Sequence, residues 1–272
     1  MNNAVAKTSA ELNFLLRIFQ SGALVLLLAS CVTEKTGGFN ADVSPERALT
    51  NYLQLARGYL EEDDLANTRR HLANAARIDP DNSELFGIWG LLYSREGDTD
   101  LADESFRKAL RIDRSNSQTR NNYSAFLYAN GRYEEAYTQL ELVVQDTEYP
   151  QRPQAFENLG LTALILDRVP EAEIAFNRAL QLRNTQVRSV TELLDIALLR
   201  NDAAAAQRYY NNLQTLQQFY GISLSSRHLL QVARLSLLQG NITQATEMGE
   251  LLKTNYPDSP EYQTYRQIIT NE

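Results

Sequence analysis

Thiols and imidazoles are nearly absent: the 272 residues hold one cysteine, Cys31, and two histidines, His71 and His228. One thiol closes no intrachain disulfide and builds no multi-thiolate metal centre. The histidines stand in opposite halves of the chain, so neither a local histidine-rich metal site nor a local nucleophile–imidazole pair exists. Proline (7) and glycine (12) are too scarce for a collagen-like or low-complexity chain. Positive charge is short as well, 26 Lys and Arg against 34 Asp and Glu for a net −8. A nucleic-acid binder normally shows a basic stripe that neutralises phosphates, so that class starts low and no nucleic-acid partner is expected. There is no Gly-rich phosphate loop, no HExxH and no paired-carboxylate signature. The chain is therefore expected to be no enzyme and to use neither cofactor nor metal. What is present, 43% hydrophobic and 22% charged residues, suits a folded soluble protein.

The longest apolar run, Ile18–Leu28, is interrupted by Gln20 and Ser21. It falls short of the ~20 residues that a membrane-spanning helix needs. With Lys7 and Arg17 before it, the run has the layout of a secretory signal peptide; a buried N-terminal helix is the other reading. Leu28-Ala29-Ser30-Cys31 follows, and resembles the lipobox of bacterial lipoproteins: an aliphatic residue, two small residues and a cysteine. The resemblance implies cleavage of residues 1–30 and lipidation of Cys31. It also implies an outer-membrane address, because Val32 stands where an Asp would signal inner-membrane retention. Residues 31–44, with adjacent glycines and no apolar period, read as a lipidated flexible tether.

From there the chain repeats itself. Segments beginning at Leu49, Ser83, Ser117, Pro153, Val187 and Ser226 follow one another at steps of 34, 34, 36, 34 and 39 residues. The eighth position reads Ala56, Gly90, Ser124, Gly160, Leu194 and Ala233; the twentieth reads Thr68, Ala102, Ala136, Ala172, Ala206 and Ala245. Two antiparallel helices approach closely only where such residues are small. Leu194 breaks the pattern and predicts looser packing, or a shifted register, in the fifth unit. The fifteenth position reads Asp63, Gly97, Gly131, Asp167, Asn201 and Gly240, all types that tolerate positive φ in a tight turn.

Tyr52-x2-Leu55-Ala56-x2-Tyr59 and Trp89-Gly90-x2-Tyr93 resemble the first helix of the tetratricopeptide repeat (TPR). Ala102-x3-Phe106-x2-Ala109 and Ala172-x3-Phe176-x2-Ala179 resemble its second helix. The expected fold is all-α: a right-handed superhelical array of about six TPR units over 45–272. The units are 49–82, 83–116, 117–152, 153–186, 187–225 and 226–259. Residues 260–272 are expected to form a capping helix, with Ser259 as N-cap and Tyr262, Tyr265, Ile268 and Ile269 on one face.

The resemblance implies an inner groove lined by the first helices. The candidate partner-binding residues are Leu53, Arg57 and Leu60, then Leu91 and Arg95, then Asn121, Asn122 and Tyr128, then Asn158 and Leu161. Asparagines 122 and 158 share the sixth position, where an amide can donate to and accept from a peptide backbone; capping a neighbouring group is the plainer reading. Leu53, Leu60 and Leu91 would suit an amphipathic helix in a groove over the first three units, against the alternative of interior packing. His71, His228 and the acidic run Glu61–Asp64 are read as structural or solvated.

The lipobox, the six units, Ala66–Asn82 and Tyr123–Tyr137 together resemble the type IV pilus biogenesis and stability lipoproteins, the PilF/PilW family. Ser124 and Tyr128 depart from that family's usual small Gly and Cys. The resemblance implies a pilotin: a lipid-anchored monomer at the outer membrane, facing the periplasm. Its partners would be secretin subunits, which it helps to localise and multimerise. A TPR scaffold of the outer-membrane protein insertion machinery and an adaptor for cell-wall hydrolases are the alternatives.

Overall fold

The computed structural model describes residues 44–223 and 225–270. Cys31, the signal segment and the tether up to residue 43 lie outside the described residues. The chain divides into Met1–Ala48 and Leu49–Glu272, and the helical array belongs to the second unit. Among the described residues there are thirteen helices and no strand. They run in antiparallel pairs: α1 (Pro45–Glu61) with α2 (Leu65–Ile78), α3 (Ser83–Glu96) with α4 (Thr99–Ile112), and α5 (Ser117–Ala129) with α6 (Tyr133–Val143). Then come α7 (Arg152–Ile165) with α8 (Val169–Leu182), α9 (Val187–Leu199) with α10 (Ala203–Tyr220), and α11 (Ser226–Leu238) with α12 (Ile242–Asn255). A single helix, α13 (Pro260–Thr270), ends the array.

Local chemistry starts and stops these helices. Asp64, Asn82, Asp98, Asn116, Asp202 and Asn241 each accept, through a side-chain oxygen, the backbone N–H three residues on. That satisfies a donor the helix cannot satisfy itself. Between the helices of every pair the chain turns through left-handed backbone at the fifteenth position: φ is 60° at Asp63, 57° at Asp167 and 54° at Asn201. The glycines of the column stand at 81° (Gly97), 74° (Gly131) and 72° (Gly240). A β-branched side chain there meets the following carbonyl, at roughly 1–2 kcal/mol. Asp167→Val is thus expected to lower unfolding stability by about that amount, whereas Asp167→Gly is near neutral. Urea unfolding of both variants checks it, and equal midpoints would refute a role for backbone strain.

The small-residue columns are the seam of each pair. Ala102, Ala136, Ala172 and Ala206 are wholly inaccessible, as are Ala75, Ala109 and Ala179 seven residues further along their units. Where the eighth residue is glycine, an aromatic ring fills the space. A Cβ built on Gly90 would lie 2.7 Å from the Phe106 ring, and one on Gly160 would lie 2.6 Å from that of Phe176. Unit five solves the same problem in reverse. Leu194 is wholly buried in regular helix α9, in the cluster of Val190, Ala206 and Leu213. The residue that would have filled its space, Tyr210, is only partly buried and lies beside His228, ring centroids 6.0 Å apart. The expectation of loose packing or a shifted register fails because volume has moved from the second helix to the first. Helix α10 runs to 18 residues, which accounts for the 39-residue step of this unit.

Polar links tie successive units. Glu157, 5% exposed, accepts the Ser189 N–H at 3.2 Å and its hydroxyl at 2.9 Å. Gln186 supplies no side-chain cap to α9, so a carboxylate from the preceding pair does that work. Arg132 reaches back to Asp103 at 2.6 Å, Arg168 to Glu134 at 2.9 Å, and Arg200 to Glu173. At the C-terminal end, the Ser259 hydroxyl accepts the Tyr262 N–H at 3.1 Å and caps α13. Tyr265 is buried with Leu229, Ala233 and Leu252, while Ile269, expected on the same face, is 47% exposed.

Both histidines are interior: His71 stacks on Tyr59 with ring centroids 5.3 Å apart, and Gln217 Nε2 lies 3.2 Å from His228 Nδ1. Burial pushes the His228 pKa below its ordinary value near 6.5. As pH falls through 6.5 the unfolded imidazole takes a proton that the folded one refuses until lower pH. The unfolded state then binds more protons, so stability falls with pH. The loss of urea resistance between about pH 7 and pH 5 is expected to shrink in His228→Leu; an unchanged loss would remove this histidine from the account.

Candidate interaction surface

The structure separates the expected groove residues into three groups. Leu53 and Leu60, 3% and 6% exposed, pack with Ala56, Leu72, Ile88 and Leu92. They are core, not groove, because their side of α1 is covered by α2 and α3. Leu53→Glu would bury a charge and unfold the unit, so it cannot report on binding. Leu91 is half-buried, in contact with the core clusters of units one and two.

In the second group, all but Asn121 are engaged in structural pairs. Arg57 donates to Glu84 at 2.6 Å, joining α1 to α3, and Arg95 meets Asp63 of the preceding turn at 3.1 Å. Asn122 accepts from Gln118 at 3.1 Å along its own helix. Asn121 is half-buried, and its Oδ1 is shielded from solvent with no donor.

The third group does converge. Tyr128, Asn158 and Leu161 line one cavity of about 220 Å³ with Ala125, Thr162 and Arg188. First helices α5, α7 and α9 supply these residues. The Tyr128 ring is fixed edge-on to Tyr133, centroids 5.2 Å apart, and Asn158 accepts from Gln154 at 3.3 Å. The cavity can admit one apolar side chain, with the exposed Arg188 in its lining. Arg188, at the second position of its unit, escaped the sequence reading.

A larger concavity, about 580 Å³, runs along α1 and is lined by Asn51, Gln54, Leu55, Gly58, Tyr59 and Glu62. Its origin is legible in the repeat. The seventh position reads Leu55, Trp89, Tyr123, Leu159, Leu193 and Val232, apolar in every unit. From the second unit on, this side chain meets the second helix of the preceding pair. Arg69 lies over the Trp89 ring at 5.3 Å, and Phe106 meets Tyr123 at 5.4 Å between centroids. Tyr123, Leu159, Leu193 and Val232 are accordingly 4%, 8%, 1% and 4% exposed, whereas Leu55 is 45% exposed. Among the described residues, the first unit presents to its surroundings a face that the second unit half-buries at Trp89 and the third to sixth units bury.

This architecture has known counterparts. The tetratricopeptide-repeat family model matches residues 87–116. The type IV pilus assembly protein PilF of Pseudomonas aeruginosa is 34% identical over 249 residues, which span 90% of this chain and 97% of PilF.

The chain belongs to the PilF family.

A solved structure of P. aeruginosa PilF superposes with a TM-score of 0.73 at 33% identity, covering 82% of this chain and 98% of that one. The crystal structure of PilW, described as a widely conserved type IV pilus biogenesis factor, gives a TM-score of 0.64 at 26% identity over 80% and 98% of the two chains. The TPR protein YrrB, with a TM-score of 0.60 at 14% identity over 72% of this chain and 97% of its own, shares the fold. As a member of the PilF family, this chain is a TPR protein of type IV pilus biogenesis.

Proposed function

We propose that this protein is the pilotin of a type IV pilus system. It is held at the outer membrane by lipid on Cys31, faces the periplasm as a monomer, and binds secretin subunits so that they reach that membrane and multimerise. It makes and breaks no bond. The extent of the kinship with PilF, across nearly the whole chain, carries the reading. The lipobox at Leu28–Cys31 supports the membrane address, and the uncovered α1 face supports a client site at the first unit. There an apolar segment of the client would take the place of the second helix that each later unit receives from its predecessor. Anchoring the protein to one surface with its client raises their effective concentration.

The test is an immunoblot of membrane fractions for the heat-resistant secretin multimer, with porin levels as control. Deletion is expected to abolish the multimer and leave porins unchanged. Complementation with Leu55→Glu, a change on the exposed face, is expected to fail while the protein accumulates and folds normally. A normal multimer in the deletion strain would overturn the reading. General porin loss would point to the insertion machinery, and an altered muropeptide profile alone to cell-wall hydrolases.

A further inference from the structure

The fourth position of the six units reads Tyr52, Phe86, Arg120, Phe156, Val190 and Leu229. Five are apolar or aromatic; the third unit alone places a cation there. Arg120 is half-buried, and among the described residues no carboxylate lies within ion-pair distance of it. Its Nη1 donates to Gln139 Oε1 at 2.6 Å and its Nη2 to the Arg114 carbonyl at 2.7 Å, both neutral acceptors. Burial pulls its pKa down, against the opposing charge of Asp113. Asp113 is itself occupied by the N–H and hydroxyl of Ser115, at 2.8 and 2.6 Å.

Three more arginines meet Arg120 at one open cleft of about 430 Å³: Arg107 and Arg111 from α4, and Arg114 from the turn that follows it. Besides Asp113, two carboxylates stand near. Asp103 holds Arg107 at 2.7 Å, and Glu135 lies 3.7 Å from Arg107 while paired to Arg132 at 2.7 Å. Arg111 and Arg114 are exposed and pair with no carboxylate among the described residues. In a chain of net charge −8, three guanidinium groups without a carboxylate pair converge on one concavity. Their mutual repulsion opposes folding, and an anion seated between them would relieve it.

We propose that this cleft binds a phosphate group, with Arg111, Arg114 and Arg120 donating to its oxygens. A carboxylate presents its two oxygens in a single plane, which one or two guanidinium forks satisfy. A phosphate offers acceptors in several directions and suits forks that arrive from α4, its following turn and α5. Arg120, clamped by Gln139 and the Arg114 carbonyl, is a preoriented member of the set. The phosphate can come from a membrane-lipid headgroup or from solution, and the chemistry at the arginines is the same. The inference is independent of the secretin reading.

The full chain, purified in a nonionic detergent, is titrated calorimetrically with inorganic phosphate and, separately, with phosphatidylglycerol in mixed micelles. Phosphatidylcholine micelles serve as the control. Saturable binding of at least one phosphate probe is expected, weakening as salt rises. Arg111→Gln/Arg114→Gln is expected to weaken it about tenfold or more while leaving helix content unchanged and Tm no lower, since both side chains are exposed and their repulsion is relieved. Arg120→Lys, which keeps the charge and loses the fork, is expected to weaken it as well. Saturation by inorganic phosphate supports the site and assigns a soluble source. Saturation by phosphatidylglycerol micelles alone supports it and assigns a lipid headgroup. No binding of either probe, or binding that the double variant retains, overturns the proposal. Binding of a polyglutamate peptide with neither phosphate probe also overturns it, and would make the cleft a docking site for an acidic protein.

Discussion

Phe176→Ala is expected to destabilise the protein by about 3–5 kcal/mol, the usual range for emptying a fully buried aromatic site. The ring is wholly inaccessible and sits among Leu159, Ala163, Ala172 and Ala179. Ala163, Ala172 and Ala179 have short side chains that cannot swing into the void, which limits how far the cavity can collapse. The loss is a large share of the roughly 5–15 kcal/mol that holds a typical domain together. In an array whose units touch only their neighbours it falls first on unit four. Amide exchange in α7 and α8 should therefore accelerate more than in α1 and α2. A loss below about 1.5 kcal/mol, or uniform acceleration along the chain, would contradict this account.

The same ring explains why Gly160 is glycine. Alanine there improves helix propensity by up to about 1 kcal/mol but sets a Cβ 2.6 Å from the ring. Overpacking costs about 1–3 kcal/mol, so Gly160→Ala is expected to be a net loss. Adding Phe176→Leu, which shortens the opposing side chain, should recover part of it. Two independent losses would show that glycine and ring are not one packing unit.

Cys31→Ser is expected to have the largest effect in the cell. On the proposed pilotin reading, a hydroxyl cannot take the thioether lipid, so the protein should leave the outer-membrane fraction. With the anchor gone, protein and client no longer share a surface, and the heat-resistant secretin multimer should fall toward the deletion level. Several acyl chains anchor stably where one is marginal. Val32→Asp tests the address separately: the lipid remains, and retention should shift the protein to the inner membrane. Normal multimer in Cys31→Ser cells would make the anchor dispensable, while correct fractionation of that variant would refute the lipobox.

The interaction surface was only partly legible before folding. Tyr128, Asn158 and Leu161 occupy groove positions and do meet at one cavity. Leu53 and Leu60 occupy groove positions too, yet lie inside. A position number gives a direction on one helix. Whether that direction meets solvent depends on how neighbouring helices pack against it. The basic cleft was hidden for a related reason. Arg107 and Arg111 share a helix, but Arg120 joins them only because α5 folds back along α4, and an overall negative charge masks such a local concentration.

The sequence by itself determined the helix pairs, their seams and their turns. Each is a short-range choice: small residues where two helices touch, a side-chain cap at a helix start, and Gly, Asn or Asp where φ turns positive. Six separate turns at the fifteenth position reached the left-handed region because no other residue type enters it so readily. Only the tertiary structure decided which apolar residues were left over. Leu55 and Leu193 hold the same position in their units, one 45% exposed and the other 1%. Nothing local separates them. Leu193 has a preceding unit's second helix to pack against, and Leu55 begins the stack.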